Sequence, residues 1–211
     1  GGEYCPRKQA HEIKISESDP GVFYSLFRNG NETGEIRQGN GEPISFGQQP
    51  TSGNYQAKAF SPVNLCSSMM DGMTEVIQKS RPLADAGPDA TILYNSSNLL
   101  AAAITNGSGN YSGVWSPANR VLQPNSIQTN TTPLTSTTIF SFVATDQQSG
   151  CQSLTDTKTV FVSGNAINLT LQSEANQICA GETCSISAIT SGGTGSYTYY
   201  WTSVPEGFFG N

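Results

Sequence analysis

The sequence predicts an all-β chain of tandem β-sandwich repeats, each about 85 residues long, with the last one cut short. Three observations predict it. The first is a glycine-rich turn followed by aromatics, Gly192-Gly-Thr-Gly-Ser-Tyr-Thr-Tyr-Tyr-Trp201, with an earlier version at Asn106-Gly-Ser-Gly-Asn-Tyr-Ser-Gly-Val-Trp115. Tyr111 and Trp115 recur about 86 residues later as Tyr197 and Trp201. The second is an echo between the first and middle thirds, where Tyr55, Ala59, Cys66 and Val76 fall one such period before Phe140, Ala144, Cys151 and Phe161. Self-similarity at a fixed period marks repeat architecture. The third is composition. Charged residues are 12% of the chain against ~25% in an average soluble protein, and Ser, Thr, Asn, Gln and 22 glycines fill the gap. That balance suits strands joined by tight turns, and regularly spaced aromatic and β-branched runs argue against disorder.

Residues 1–79 form the first predicted domain. Glu12-Ile-Lys-Ile-Ser16 and Val22-Phe-Tyr-Ser-Leu-Phe27 read as strands, the former from its strict alternation. Asp19-Pro-Gly between them is turn chemistry, and Arg28-Asn-Gly-Asn is another turn. Ile44-Ser-Phe46, Tyr55-Gln-Ala-Lys-Ala-Phe60 and Thr74-Glu-Val-Ile77 complete the set. Ser80-Arg-Pro-Leu-Ala-Asp is a short junction stiffened by Pro82. A second domain, 80–164, runs through Ala84–Ile92, Leu99–Thr105, the turn and Trp115, Thr137–Asp146 and Thr157–Val162. Residues 165–211 are the N-terminal part of a third. No window has convincing helical periodicity.

Several function classes are disfavoured. With a net charge of −6 and only ten scattered Lys and Arg, there is no basic stripe for phosphates, so no nucleic-acid partner is expected. No apolar run approaches ~18 residues, so no membrane span is expected in this segment. A single histidine, His11, in a polar lead-in assembles no Ser-His-Asp or Cys-His set, and no enzyme activity is expected. No glycine-rich loop precedes a helix, so no cofactor is expected. Asp85, Asp89, Asp146 and Asp156 fall near domain ends, where calcium would need several oxygens converging on one point. No calcium-loop spacing is present, and carboxylates in turns are the simpler reading, so no metal is expected.

Five cysteines, at 5, 66, 151, 179 and 184, make no metal-type pair of pairs. Cys5 and Cys66, near the two ends of the first domain, fit a disulfide of an oxidising compartment. Such a loop is worth on the order of 4 kcal/mol in the chain-entropy model. Strand alternation sorts the aromatics: if Trp201 faces the core, so do Tyr199 and Tyr197, and Tyr200 faces out. Trp115, Gly113 and Tyr111 face in by the same count. Trp115 and Trp201 are therefore expected as core aromatics, and Tyr200 is the residue an exposed ligand contact would rest on.

The first domain also carries a resemblance. Gly2-Glu-Tyr-Cys5, Ser18-Asp-Pro-Gly-Val-Phe-Tyr-Ser-Leu26, Gly39-Asn-Gly-Glu-Pro-Ile-Ser-Phe-Gly47, Gly53-Asn-Tyr55 and Cys66 with Met70-Asp-Gly72 resemble a repeat of very large secreted surface proteins of Bacteroidota. There the early and late cysteines face each other, which supports pairing Cys5 with Cys66. Ala86-Gly-Pro-Asp, Trp115 and the segment from Thr137 to Cys151 resemble PKD-like, immunoglobulin-type sandwich repeats. Ile178-Cys-Ala-Gly181 and Ser191–Trp201 resemble the repeats of SprB-like gliding adhesins. In that family the cysteine of the Ile-Cys turn pairs with a late cysteine of its own domain. Here Leu93 stands where the third domain has Cys179, so Cys151 has no obvious partner, and the counterpart of Cys179 would fall beyond residue 211. The resemblance implies a cell-surface adhesin of the bacterial exterior, in which the repeats act as stalk and display elements. It further implies type IX secretion, the gliding machinery and neighbouring repeats as partners, and an unidentified surface or glycan ligand. The alternative is a carbohydrate-binding accessory module of a secreted multidomain enzyme.

Overall fold

The computed structural model describes residues 1–6, 8–204 and 209–210. Strands dominate, and a 3-10 turn at Ala118–Arg120 is the one helical element among the described residues. The chain divides into two compact units. One comprises Gly1–Ala84, Ile104–Gly113 and Val143–Thr155; the other comprises Asp85–Ala103, Val114–Phe142 and Asp156–Asn211.

The first eight strands are β1 (Gly2–Tyr4), β2 (His11–Ile15), β3 (Phe23–Arg28), β4 (Asn31–Gln38), β5 (Ile44–Gln49), β6 (Gly53–Phe60), β7 (Ser67–Met69) and β8 (Thr74–Gln78). One sheet runs β1-β8-β6-β3-β4 with β7 added to β6, and β2 pairs with β5 in a second sheet. β1 and β8 are parallel, with Gly2 opposite Val76. Alternation sends Ile13, Tyr24, Leu26, Ile44, Phe46, Tyr55, Ala57 and Val76 into one buried cluster between the sheets. Asn29-Gly30 turns β3 into β4, both residues having positive φ (50° and 80°), as a type I′ hairpin requires. β4 itself, Asn-Glu-Thr-Gly-Glu-Ile-Arg-Gln, is polar on both faces and almost wholly exposed. It is an edge strand, and so it has no apolar alternation.

The same plan recurs further along. The strands are β9 (Leu83–Asp85), β10 (Ala90–Leu93), β11 (Leu99–Ala101), β12 (Ala103–Thr105), β13 (Tyr111–Ser116), β14 (Gln128–Asn130), β15 (Thr138–Asp146) and β16 (Asp156–Ser163). The main sheet runs β10-β16-β15-β13, β11 pairs with β14, and β9 with β12. Again a short early strand lies parallel to the last one, Ala90 opposite Val160. An early strand parallel to the last, the last antiparallel to a long earlier strand (β6 beside β8, β15 beside β16), and a short facing pair together make immunoglobulin-like sandwiches in tandem. Leu100, Trp115, Leu134, Phe140, Phe142 and Val160 are buried. The Trp115 and Phe142 rings stand 4.7 Å apart, tilted by 45°. The echo of Val76 shifts by one residue here, because Val160 is the buried position and Phe161 is 46% exposed.

β17 (Asn168–Ser173) and β18 (Ile186–Ser191) form an antiparallel pair, and β19 (Trp201–Thr202) pairs with β20 (Phe209–Gly210). Trp201 is half-buried, not the core residue that alternation predicts. The reason lies in its surroundings. Among the described residues β19 pairs with the two-residue β20 alone, and Leu169, Leu171, Ile186 and Ile189 all remain exposed.

Candidate functional site

The glycine-rich turn that marks the repeat is explained by one carboxylate. Asp146 ends β15 and is 1% exposed. Gly107 (φ 102°) and Gly109 (φ 88°) bend the 106–110 turn so that Ser108 points at it. The Ser108 N–H donates to Oδ2 (2.5 Å) and its hydroxyl to Oδ1 (2.9 Å). The N–H groups of Gln148 and Ser149 also donate to Oδ1, each at 2.9 Å. Four donors thus replace water, and none of them is a Lys or Arg. The Ser108 N–H foremost, then the Ser149 N–H, lower the Asp146 pKa to about 2. A side chain on Gly107 would overlap Asp146 Oδ2, so this position needs glycine for space as well as for φ. Tyr111 closes the turn by donating to the Asn106 carbonyl (2.7 Å), and Tyr197 makes the same bond to the Gly192 carbonyl. The spacing of the two aromatic turns therefore records one turn geometry, built twice.

The backbone of Asp146 continues the cluster. Its N–H donates to the Cys151 carbonyl (2.9 Å), and the Asp146 carbonyl accepts from the Gly150 N–H (2.8 Å). Cys151 is wholly buried and disulfide-bonded to Cys5, which is 8% exposed, with Cα atoms 5.4 Å apart. Beside it the Arg81 Nε donates to the Gln152 carbonyl (3.1 Å), and the Asn106 amide donates to the Arg81 carbonyl (2.8 Å). On the other side the Lys79 N–H donates to the Tyr4 carbonyl (2.8 Å), and its ammonium meets Glu3 at 2.5 Å. All these residues lie within the first compact unit.

The expected Cys5–Cys66 bond is therefore corrected to Cys5–Cys151, leaving Cys66 exposed and free, with Cys179 and Cys184 free as well. Strand register gives the reason. Tyr4 lies opposite Gln78 and Val76 opposite Gly53, which sets Cys5 level with about residue 50 of the β6 line. Phe60 lies opposite Ser67, which sets Cys66 level with about residue 61. About eleven positions at ~3.3 Å each separate them by roughly 36 Å along the sheet, against the ~7 Å that a disulfide tolerates. The signal available in the sequence is that Cys151 has no partner within its own repeat.

The remaining acidic residues do not converge. Asp85 accepts from the Gly87 N–H (2.8 Å), Asp89 from Thr159 (2.7 Å) and Asp156 from Ala86 (2.7 Å), so each carboxylate pins a strand end. Among the described residues no group of three or more His, Cys, Asp or Glu could hold a metal ion. His11 stands 3.1 Å from the Glu3 carbonyl and edge-on to Tyr4. No helix among the described residues is long and apolar enough to cross a membrane. Tyr200 is 80% exposed, but Tyr199 is also exposed (42%), where a core-facing ring is expected, because residues 196–200 lie outside the strands and alternation does not hold there. The Tyr197 and Tyr199 rings lie 6.4 Å apart.

No protein-family model and no curated protein matches this sequence. Among solved structures, the chain is similar to the fibronectin(III)-like modules of Clostridium thermocellum CbhA (12% identity, 77% of this chain, 89% of that one, TM-score 0.37). It is also similar to three N-terminal domains of the outer capsid protein Hoc of bacteriophage RB49 (8% identity, 92% and 69%, TM-score 0.37). A third is the C-terminal fragment of intimin in complex with the Tir intimin-binding domain (14% identity, 75% and 58%, TM-score 0.39). These likenesses are loose, and the immunoglobulin-like assignment rests on the strand order described above.

Proposed function

We propose that this chain is a non-catalytic display segment of an extracellular adhesin, made of tandem sandwich repeats bounded near residues 79/80 and 164/165. The observation that carries the reading is the cluster around Asp146 and the Cys5–Cys151 bond. It unites β1 with the end of β15 through a buried covalent link, and its carboxylate is occupied by backbone donors rather than open to a substrate. A buried disulfide suits an oxidising, extracellular setting. Together with the resemblance of the repeats, this supports the surface of a Bacteroidota cell, export by type IX secretion and work alongside the gliding machinery.

A second reading is favoured by Tyr200 and Tyr199, whose exposed rings offer stacking faces for a sugar, as in a carbohydrate-binding accessory module. Retention on insoluble polysaccharides such as cellulose, chitin and xylan separates the two. The display reading expects no retention above that of an unrelated β-sandwich. Saturable retention that Tyr200→Ala abolishes would replace it with the carbohydrate-binding one.

A further inference from the structure

We infer that the Cys5–Cys151 bond is a tension bypass, an inference that rests on the reading of the chain as a display segment. A pull applied at residues 1 and 211 runs along residues 1–5, across the sulfurs, and on from residue 151. The sequence separation of 146 leaves everything between the two cysteines in a closed covalent loop outside that path. The loop contains β2 to β15, and with them Leu26, Phe46, Tyr55, Trp115 and Phe142 of the cores. Those residues can lose their packing, but tension cannot draw them out.

Both ends of the bypass are fixed. Cys5 follows directly on β1, which is zipped in parallel to β8 and held again by the Lys79 N–H to the Tyr4 carbonyl. Cys151 is held through its carbonyl by Asp146, whose carboxylate is in turn fixed by four donors. The bond is also shielded. Thiol attack needs access to a sulfur, and neither residue offers it, at 0% and 8% exposure. The exposed thiol of Cys66 lies on the sheet line roughly 36 Å from Cys5 by strand rise. A short disulfide loop would spare little chain. This one takes more than half of the sequence out of the load.

Single-molecule extension with handles at the two termini tests this. At ~3.5 Å per residue, the oxidised protein should extend to about 230 Å in total, and to about 740 Å after reduction with TCEP in denaturant and refolding or in Cys151→Ser. Cys66→Ser should keep the short value, which protects the test if Cys151→Ser does not fold. Incubation with glutathione that fully reduces an unfolded peptide disulfide should leave the short extension in place. Extension of the oxidised protein to about 740 Å, the length of the whole chain at that rise, overturns the bypass. Extension to about 530 Å that Cys66→Ser lengthens also overturns it, because by the same rise the loop would then be closed by Cys66. Loss of the short extension in glutathione overturns the shielding. Failure of the display reading would show separately, as polysaccharide retention, and would leave these lengths unchanged.

Discussion

Breaking the Cys5–Cys151 bond should destabilise the first compact unit by an amount set by loop length. The cysteines are 146 residues apart. A loop of that size corresponds to a chain-entropy loss of about 17 cal/mol/K in the unfolded state, or about 5 kcal/mol at 25 °C. Removal of native disulfides typically costs ~2–5 kcal/mol, so the expected loss is near the upper end of that range. At ~3–5 °C per kcal/mol for a unit of this size, Tm should fall by roughly 15–25 °C. The assay is thermal unfolding of wild type, Cys5→Ser, Cys151→Ser and Cys66→Ser, each after refolding from denaturant with and without TCEP, since the folded bond is buried. Cys66→Ser should match wild type in both conditions, and the other two should lose their response to reductant. A non-reducing tryptic map supplies the covalent control, because peptide 1–7 should be joined to 121–158 and not to 59–79. A Tm indifferent to TCEP, or a link from 1–7 to 59–79, would refute both the pairing and the register argument behind it.

Three further outcomes follow from burial and hydrogen bonding. Trp115→Ala should cost ~3–5 kcal/mol, because the ring is fully buried against Phe142, whereas Trp201→Ala should cost below ~1.5 kcal/mol, as read from denaturant unfolding curves. Gly107→Ala should destabilise by ~1–3 kcal/mol through positive φ and overlap with Asp146, while Gly109→Ala meets no atoms and should cost less; calorimetry ranks the two. Asp146 has a folded pKa of about 2, below its ordinary value of 3.8, so its contribution is complete above about pH 4 and is lost as pH falls toward 2. Asp146→Asn should therefore flatten that acid limb when unfolding is followed by tryptophan fluorescence, and an unchanged limb would assign it to other carboxylates.

Much of the fold is legible because its causes are local. Alternation in Glu12–Ser16 and Tyr55–Phe60 needs only a period of two, and Asn29-Gly30 specifies its own hairpin through positive φ. β4 is not legible, because an edge strand with two wet faces has no apolar period to read. The donor set of Asp146 is hidden for a different reason. Ser108 and Asp146 are 38 residues apart and meet only when the glycine turn folds back on the end of β15.

The repeat period and the buried positions of β6, β13 and β15 were determined by the sequence itself, because each depends on residue types that recur at short or fixed spacings along the chain. The partner of Cys5 and the half-burial of Trp201 were decided by tertiary structure alone. A disulfide depends on which strand ends share a level across the sheets, and a tryptophan is buried only where a second sheet covers it, and neither condition is a property of neighbouring residues.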